Sequence, residues 1–274
     1  MDSTPELRVS KGAAVRRFTG AVVTVGLCML AAGCTSAHHQ TGSDAVQTGA
    51  GGAAGVAAAP AVVPTTESRL RLGYVGVAAD SAALVGLRDD LFRADLGAGV
   101  ALEPVRFSSG AAAESALAAG HLDAAYLDPV SAVSAWQRTG GGIRVISGAA
   151  SEDGKSAVVL VVTSRFLATR PKQVQGLLKG QVQTEQLLIT EPGPARRLVV
   201  AELMSLGVHQ SAQRFARLWA DLRFSCDPLQ ASVLAQARYA AASGTLKAVS
   251  SLSGVYDLGP VNKLLRAAGY NAVG

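Results

Sequence analysis

Short apolar runs alternate with helix-forming segments along residues 69–147, and this alternation restricts the fold more than any other feature of the sequence. The runs predict four buried strands, at 69–75, 100–107, 122–127 and 143–147. The segments between them predict helices, at 81–92, 111–119 and 130–138. Because β-α-β order joins neighbouring strands through right-handed crossovers, we expect an α/β domain with a mostly parallel sheet.

An apolar stretch with a basic leader precedes this domain. Four basic side chains up to Arg17 come first, and residues 18–32 are uncharged and mostly apolar. Residues 30–34 read LAAGC, which resembles a bacterial lipobox. We therefore expect a signal peptide over 1–33 and lipidation at Cys34. The alternative is a plain signal peptide that happens to be followed by a cysteine.

Residues 34–67 are rich in Gly, Ala, Ser and Thr without periodicity, and they predict a disordered tether. No later run approaches the roughly 18 apolar residues that a spanning helix needs. We expect a protein held by its lipid at the extracytoplasmic face of the cell membrane. The 25 Lys and Arg against 20 Asp and Glu exclude a polybasic arm for nucleic acid. The four histidines do not have the spacing of a metal site.

Ligands of open α/β sheets bind beyond the carboxyl ends of the strands, so the loops after the first three strands form the candidate site. These loops supply Gly76, Ala79, Asp80, Ser81, Ser108, Ser109, Gly110, Asp128 and Pro129. The two serine hydroxyls and the amides at the start of the following helix would suit an anionic group. Alternatively, Ser109, Asp80 and Asp128 only cap helices. Carboxylates facing the pocket would repel an anion and favour a neutral or cationic ligand.

Two ordered blocks of the sequence resemble a known family. Residues 69–92 (RLRLGYVGVAADSAALVGLRDDLF), 105–136 and 141–150 resemble the first lobe of ABC-importer solute-binding proteins of the aliphatic sulfonate, nitrate and taurine type. Stretches such as LRFSCDPLQASV and LSGVYDLGPVNKLLRAAG resemble their C-terminal part. The resemblance implies a type II periplasmic-binding-protein-like fold, a small anionic solute, and permease and ATPase subunits as partners. It implies no cofactor.

The region between the two blocks is shorter than in that family. A single strand is predicted at 157–163, and four helices follow without another strand, at 172–188, 194–206, 211–222 and 229–243. We therefore expect a first lobe over 68–155 and a helix-rich region with an incomplete second lobe over 156–274. Either the chain is an internally shortened member or its second lobe is rebuilt from helices. A half-site of this kind would bind weakly, or a partner would supply the missing wall.

No catalytic motif accompanies these features. The sequence contains neither a G-x-S-x-G elbow nor an H-E-x-x-H helix, and no cysteine has a nearby histidine, so we expect no enzyme. A binder of a neutral or cationic heterocycle stays open as an alternative. So does a non-transporting surface lipoprotein derived from such a receptor. Cys226 is left alone after the lipid site, as a buried inert thiol or a crosslink between chains.

Overall fold

The computed structural model describes residues 68–274, and the expected signal peptide (1–33), lipidation residue Cys34 and tether (34–67) lie outside this range. Six strands are present in the described range: β1 (Ser68–Tyr74), β2 (Val100–Arg106), β3 (Ala124–Leu127), β4 (Ile143–Glu152), β5 (Lys155–Thr163) and β6 (Leu222–Phe224). The strands predicted from the apolar runs are confirmed. The sixth strand, β6, was not predicted from the sequence.

Ten α-helices connect and cover these strands in the described residues, and a short 3-10 helix, Ala78–Asp80, follows β1. The helices are α1 (Ser81–Arg88), α2 (Leu91–Leu96), α3 (Gly110–Ala118), α4 (Pro129–Arg138), α5 (Ser164–Thr169), α6 (Pro171–Thr190), α7 (Pro192–Ser205), α8 (Ala212–Asp221), α9 (Gln230–Ala242) and α10 (Gly259–Ala267). None of these described helices is long and apolar enough to cross a membrane.

The six strands form one sheet in the order β2-β1-β3-β5-β4-β6. β1 pairs in parallel with β2 and β3, whereas β5 runs antiparallel to both of its neighbours and β6 antiparallel to β4. The four strands predicted in the first lobe therefore run in the same direction. β5 lies among them with the opposite direction, because a tight turn at Asp153 and Gly154 returns the chain directly from β4.

Both faces of the sheet are covered. One apolar cluster lies between the sheet and a layer that includes α1, α2, α6, α7 and α10, and the other lies between the sheet and α3, α4 and α9. The region 156–274 thus contributes β5, β6 and helices to the same layered unit. Among the described residues there is no second sheet, which agrees with the expected incomplete second lobe.

The helix predicted over 81–92 is wrong in one respect, because the chain forms two helices there. The break falls at Asp89 and Asp90, and Asp90 adopts a left-handed conformation with φ 54°. Gly86 explains the bend: a Cβ at this position would lie 2.4 Å from the ring of Phe92. The missing side chain lets the buried Phe92 fold back onto α1, which a continuous helix would prevent.

Candidate functional site

The carboxyl ends of β1, β2 and β3 lie at the same edge of the sheet, because these strands are parallel. The backbone N–H of Phe107 donates to the carbonyl oxygen of Tyr74 at 2.8 Å, which keeps the first two strands joined up to this edge. The loops that follow β1, β2 and β3 carry all nine predicted site residues. We call this region the carboxyl edge.

Asp80 organises the loop after β1. Its Oδ2 accepts hydrogen bonds from the N–H of Gly76 at 2.8 Å and of Val75 at 3.1 Å. Gly76 has φ +83°, a conformation that side chains other than glycine's rarely adopt. The Asp80 carboxylate thus acts as a brace for its own loop, and it makes no capping hydrogen bond to α1.

Burial governs the electrostatics of this loop. Asp80 is 2% exposed, and its removal from water raises its pKa to about 6, although the N–H donors of Gly76, Val77 and Val75 act in the opposite direction. The negative charge of Asp128 raises this pKa further. Ser81 is also buried, and its hydroxyl donates to the carbonyl oxygen of Ala78 at 2.7 Å. The hydroxyl proton of Ser81 is therefore already used in a hydrogen bond at the start of α1.

The second half of the chain closes over the same loop. Arg106, the last residue of β2, donates from Nη1 to the carbonyl oxygen of Leu206 at 2.8 Å and from Nε to that of Val75 at 3.2 Å. A Cβ on Gly76 would lie 3.1 Å from Cδ1 of Leu206, so the segment after α7 rests on the β1 loop. Gly76 and Asp80 are consequently buried, and Ala79 is half-buried.

The loop after β2 remains accessible. Ser108 and Ser109 are exposed, and Ser109 Oγ accepts a hydrogen bond from the N–H of Ala112 at 3.2 Å. Ser109 therefore caps α3, which leaves Ser108 as the exposed serine without a capping role. The capping interpretation of Ser109 is confirmed.

Asp128 reaches the start of α3 from the loop after β3. Its Oδ1 accepts from the N–H of Ser131 at 2.9 Å, so it caps α4, and the buried Pro129 occupies the first helical position. Its Oδ2 would lie 2.5 Å from a Cβ on Gly110. A carboxylate of the chain itself thus lies at the helix start where the sequence suggested an anionic ligand.

The carboxyl edge therefore divides into two parts. Asp80, Gly76 and Ser81 form a sealed part beneath Arg106 and the Leu206 segment, and Ser108, Gly110 and Asp128 form an open part. Sequence reasoning missed Arg106, although a cation at a strand end, two residues before Ser108, was a usable signal. Its contact with Leu206 joins residues 100 positions apart and left no local signal. Within residues 68–274, no three His, Cys, Asp or Glu side chains are grouped closely enough to hold a metal ion.

Comparison with known proteins identifies the fold. No protein-family model and no curated protein matches the sequence. The ligand-binding component of an ABC-type import system from Staphylococcus aureus, solved with zinc bound, aligns over 71% of this chain and 98% of its own, with 9% identity and a TM-score of 0.54. A Candida albicans protein described as having the generic periplasmic binding protein fold aligns over 69% and 96%, with 10% identity and a TM-score of 0.56. The chain has the periplasmic binding protein fold.

Two further solved structures with this fold are named for the anions that they bind. The alkanesulfonate-binding protein SsuA from Xanthomonas axonopodis pv. citri, bound to MOPS, has 12% identity and a TM-score of 0.55, and covers 70% of this chain and 98% of its own. The nitrate-binding protein NrtA from Synechocystis PCC 6803 has 7% identity and a TM-score of 0.55, and covers 73% and 89%. At these identities the likeness establishes the periplasmic binding protein fold alone.

Proposed function

We propose that this protein is the lipid-anchored solute-binding component of an ABC importer. Its lipid would be attached at Cys34, and it would deliver a small solute from the carboxyl edge to permease and ATPase subunits. The observation that carries the proposal is the meeting of three strand-end loops at one edge of a periplasmic binding protein fold. Open α/β sheets bind their ligands at this position. The neighbours of the chain are solute-binding proteins, which supports binding without catalysis.

The first candidate solute is a small anion such as a sulfonate, taurine or nitrate. Arg106, the exposed hydroxyl of Ser108 and the start of α3 favour negative charge at the open part of the carboxyl edge. The solved neighbours that are named for alkanesulfonate and nitrate support this class. Anions would meet their strongest contacts where the edge is most exposed to water, so we expect modest affinity.

A neutral or cationic solute is the second candidate, and a specific observation favours it. The carboxylate of Asp128 already lies against Gly110 at the start of α3, where it takes the place of a bound anion. The charge of Asp80 lies near enough to be affected by Asp128. A ligand with a positive group would pair with Asp128 and leave the α3 start satisfied.

The incomplete second lobe sets the expected affinity. Two-lobed receptors close both lobes on a ligand and exclude water, whereas the described residues of this chain form one sheet covered by helices. A solute at the open part would therefore keep one side in water unless the permease covers it. The same observation supports the alternative of a surface lipoprotein that derives from such a receptor and does not transport.

Titration calorimetry tests the proposal and separates the two solute classes. The full chain in phospholipid nanodiscs is titrated with taurine, ethanesulfonate, nitrate and a small cationic heterocycle, with empty nanodiscs as the blank. If the site is used, Asp128→Asn changes affinity about tenfold, upward for an anion and downward for a cation. The control is Glu152→Gln, an exposed acid on β4. Binding by none of the four solutes, or equal affinity in wild type and D128N, contradicts the proposed site.

A further inference from the structure

A cavity of about 310 Å³ opens beside the carboxyl-terminal half of α6, and none of the carboxyl-edge residues lines it. Its apolar walls include Val182, Leu265 and Val273, and its mouth includes the exposed Tyr270 and Asn271. Cavities of about 300 Å³ are at the small end of those that hold organic ligands. The cavity has room for a molecule with one ring or a short alkyl chain.

Glu185 lines this cavity and is almost completely buried, with 4% of its surface exposed. Its Oε1 accepts a hydrogen bond from Nε2 of Gln181 at 2.8 Å, and its Oε2 has no hydrogen-bond partner. A buried polar atom without a partner loses the hydrogen bonds that water gave it in the unfolded chain. One oxygen of Glu185 is thus available to a donor that the described residues do not supply.

Two glutamines next to this oxygen are already engaged in other hydrogen bonds. Oε1 of Gln181 accepts from the hydroxyl of Tyr126 at 2.5 Å, and its Nε2 also donates to the carbonyl oxygen of Gly148 at 3.1 Å. At the mouth, Nε2 of Gln186 donates to the hydroxyl of Tyr270 at 2.9 Å. The amides of Gln181 and Gln186 are thus held by other partners, and Oε2 of Glu185 stays an open acceptor.

The charge of the lining is one-sided. Glu185 is its only acidic residue, and neither lysine nor arginine lines the cavity. Cys226 also contributes to the wall, and burial together with Glu185 raises the pKa of its thiol to about 12, so this group is uncharged at neutral pH. The cavity thus has apolar walls and a single acidic acceptor, and no positive charge in its lining would repel a cation.

We propose that this cavity binds a small amine whose N–H donor pairs with Glu185 Oε2 and whose apolar body lies on Val182, Leu265 and Val273. An ammonium group supplies both what the carboxyl oxygen lacks, a donor, and what the lining lacks, a positive charge. An alcohol of the same size supplies a weaker donor without charge, and a carboxylate supplies neither. The cavity shares no residue with the carboxyl edge, so a test of amine binding here does not depend on which solute, if any, binds at that edge.

Calorimetry on the full chain in nanodiscs tests this site, with phenethylamine as the probe and empty nanodiscs as the blank. The matched compounds are 2-phenylethanol and 3-phenylpropanoate, which keep the ring and change the head group. We expect saturable binding of the amine and, in Glu185→Gln, a loss of about tenfold or more in affinity, the usual effect of removing one charged hydrogen-bond partner. Glu191→Gln, an exposed acid at the end of α6, should bind like wild type.

A second variant guards against an effect of E185Q on folding. Asn271→Trp places a large ring at the exposed mouth, on a residue that takes no part in the Gln181 hydrogen bonds, and should abolish amine binding while the far-UV circular dichroism stays unchanged. The proposal is overturned if phenethylamine does not bind, which would leave water as the occupant. It is equally overturned if E185Q binds the amine as wild type does, or if phenylethanol binds as tightly as the amine.

Discussion

Two buried glutamates lie on opposite faces of the sheet, and their surroundings differ. Glu114 on α3 accepts hydrogen bonds at Oε1 from Ser134 Oγ at 2.8 Å and from Arg138 Nη1 at 3.1 Å. The side chain of Arg138 is 56% exposed, so a cation reaches inward from solvent to a carboxylate that is 8% exposed. Glu185 on α6 has only the neutral amide of Gln181 as a partner. The first carboxyl is paired with a charge and the second is not.

The two covering layers come from different halves of the chain. α3 and α4 belong to the β-α-β half, where both partners of Glu114 are contributed by the neighbouring helix. α6 belongs to the half in which the second lobe is incomplete, and it carries a second unpartnered atom, Oε1 of Gln173. A helix that covers a sheet can bury its apolar stripe well and still leave single polar groups without partners.

The largest expected effect is on the frame that supports Glu185. Gln181→Leu removes the partners of three buried groups, namely the Tyr126 hydroxyl, the Gly148 carbonyl and Glu185 Oε1. At roughly 1–3 kcal/mol for each unsatisfied group, we expect the free energy of unfolding to fall by about 4 kcal/mol. Urea unfolding followed by tryptophan fluorescence measures this change. Gln183→Leu, exposed on the same helix, is the matched control, and an equal effect of both substitutions would contradict the account.

A smaller effect with a pH signature is expected at Glu185. Burial raises the pKa of this carboxyl well above its ordinary value of 4.5, so the folded chain without a ligand favours its protonated form, whereas an ammonium group in the cavity would favour the carboxylate, with the proton released to solvent. Its contribution to stability is present below pH 4.5 and is lost as the pH rises toward the folded pKa. Glu185→Gln removes this dependence, and we expect the variant to be more stable than wild type near neutral pH by roughly 1–3 kcal/mol, the usual cost of one buried group left without a partner.

The measurement is the difference between the unfolding free energies of E185Q and wild type from pH 4 to pH 7. Asp80, whose pKa is raised to about 6 by burial, titrates in both proteins and cancels in the difference. Cys226 and Tyr126 also lie near Glu185, and burial keeps both uncharged over this range. A difference that stays constant with pH would show that Glu185 is ionised in the folded chain and has found a partner.

The smallest effect is expected on the paired side. Glu114→Gln keeps an acceptor for Ser134 and removes the charge that Arg138 meets, so we expect a loss of about 0.5 kcal/mol, typical of a pair with one exposed partner. This loss should shrink in 1 M salt, where screening acts over about 3 Å. If Glu114→Gln lowered the free energy of unfolding as much as Q181L does, the proposed difference between the two faces of the sheet would be contradicted.

Local features of the fold were predictable from the sequence, whereas the long-range contacts were not. The caps at Ser109 and Asp128 and the proline at the start of α4 depend on residues within a turn of each other. The break between α1 and α2 depends on the fit of Phe92 against Gly86, and periodicity alone favours one continuous helix there. The short strand β6 exists because β4 offers it an edge, a condition that its own three residues do not encode.

The candidate site shows the same limit. The meeting of the three loops at one edge was predictable from the sequence, because the carboxyl ends of parallel strands lie at the same edge of a sheet. Whether each loop is open is decided by residues far along the chain, such as Leu206 over Gly76. The side chain of Asp80 does not cap α1; it accepts instead from N–H groups just upstream, at Val75 and Gly76 and, more weakly, at Val77, the N-cap residue of the short 3-10 helix.

The position of β5 fixes the moment during synthesis at which the sheet can close. β3 pairs with β1 on one side and with the later strand β5 on the other. In the described chain, β4 has only β5 and β6 as strand partners. In a nascent chain that ends before Lys155, β3 and β4 both lack their partner β5, and such open strand edges are prone to pair wrongly. A chain that emerges N-terminus first completes the centre of its sheet only after Thr163 has been synthesised.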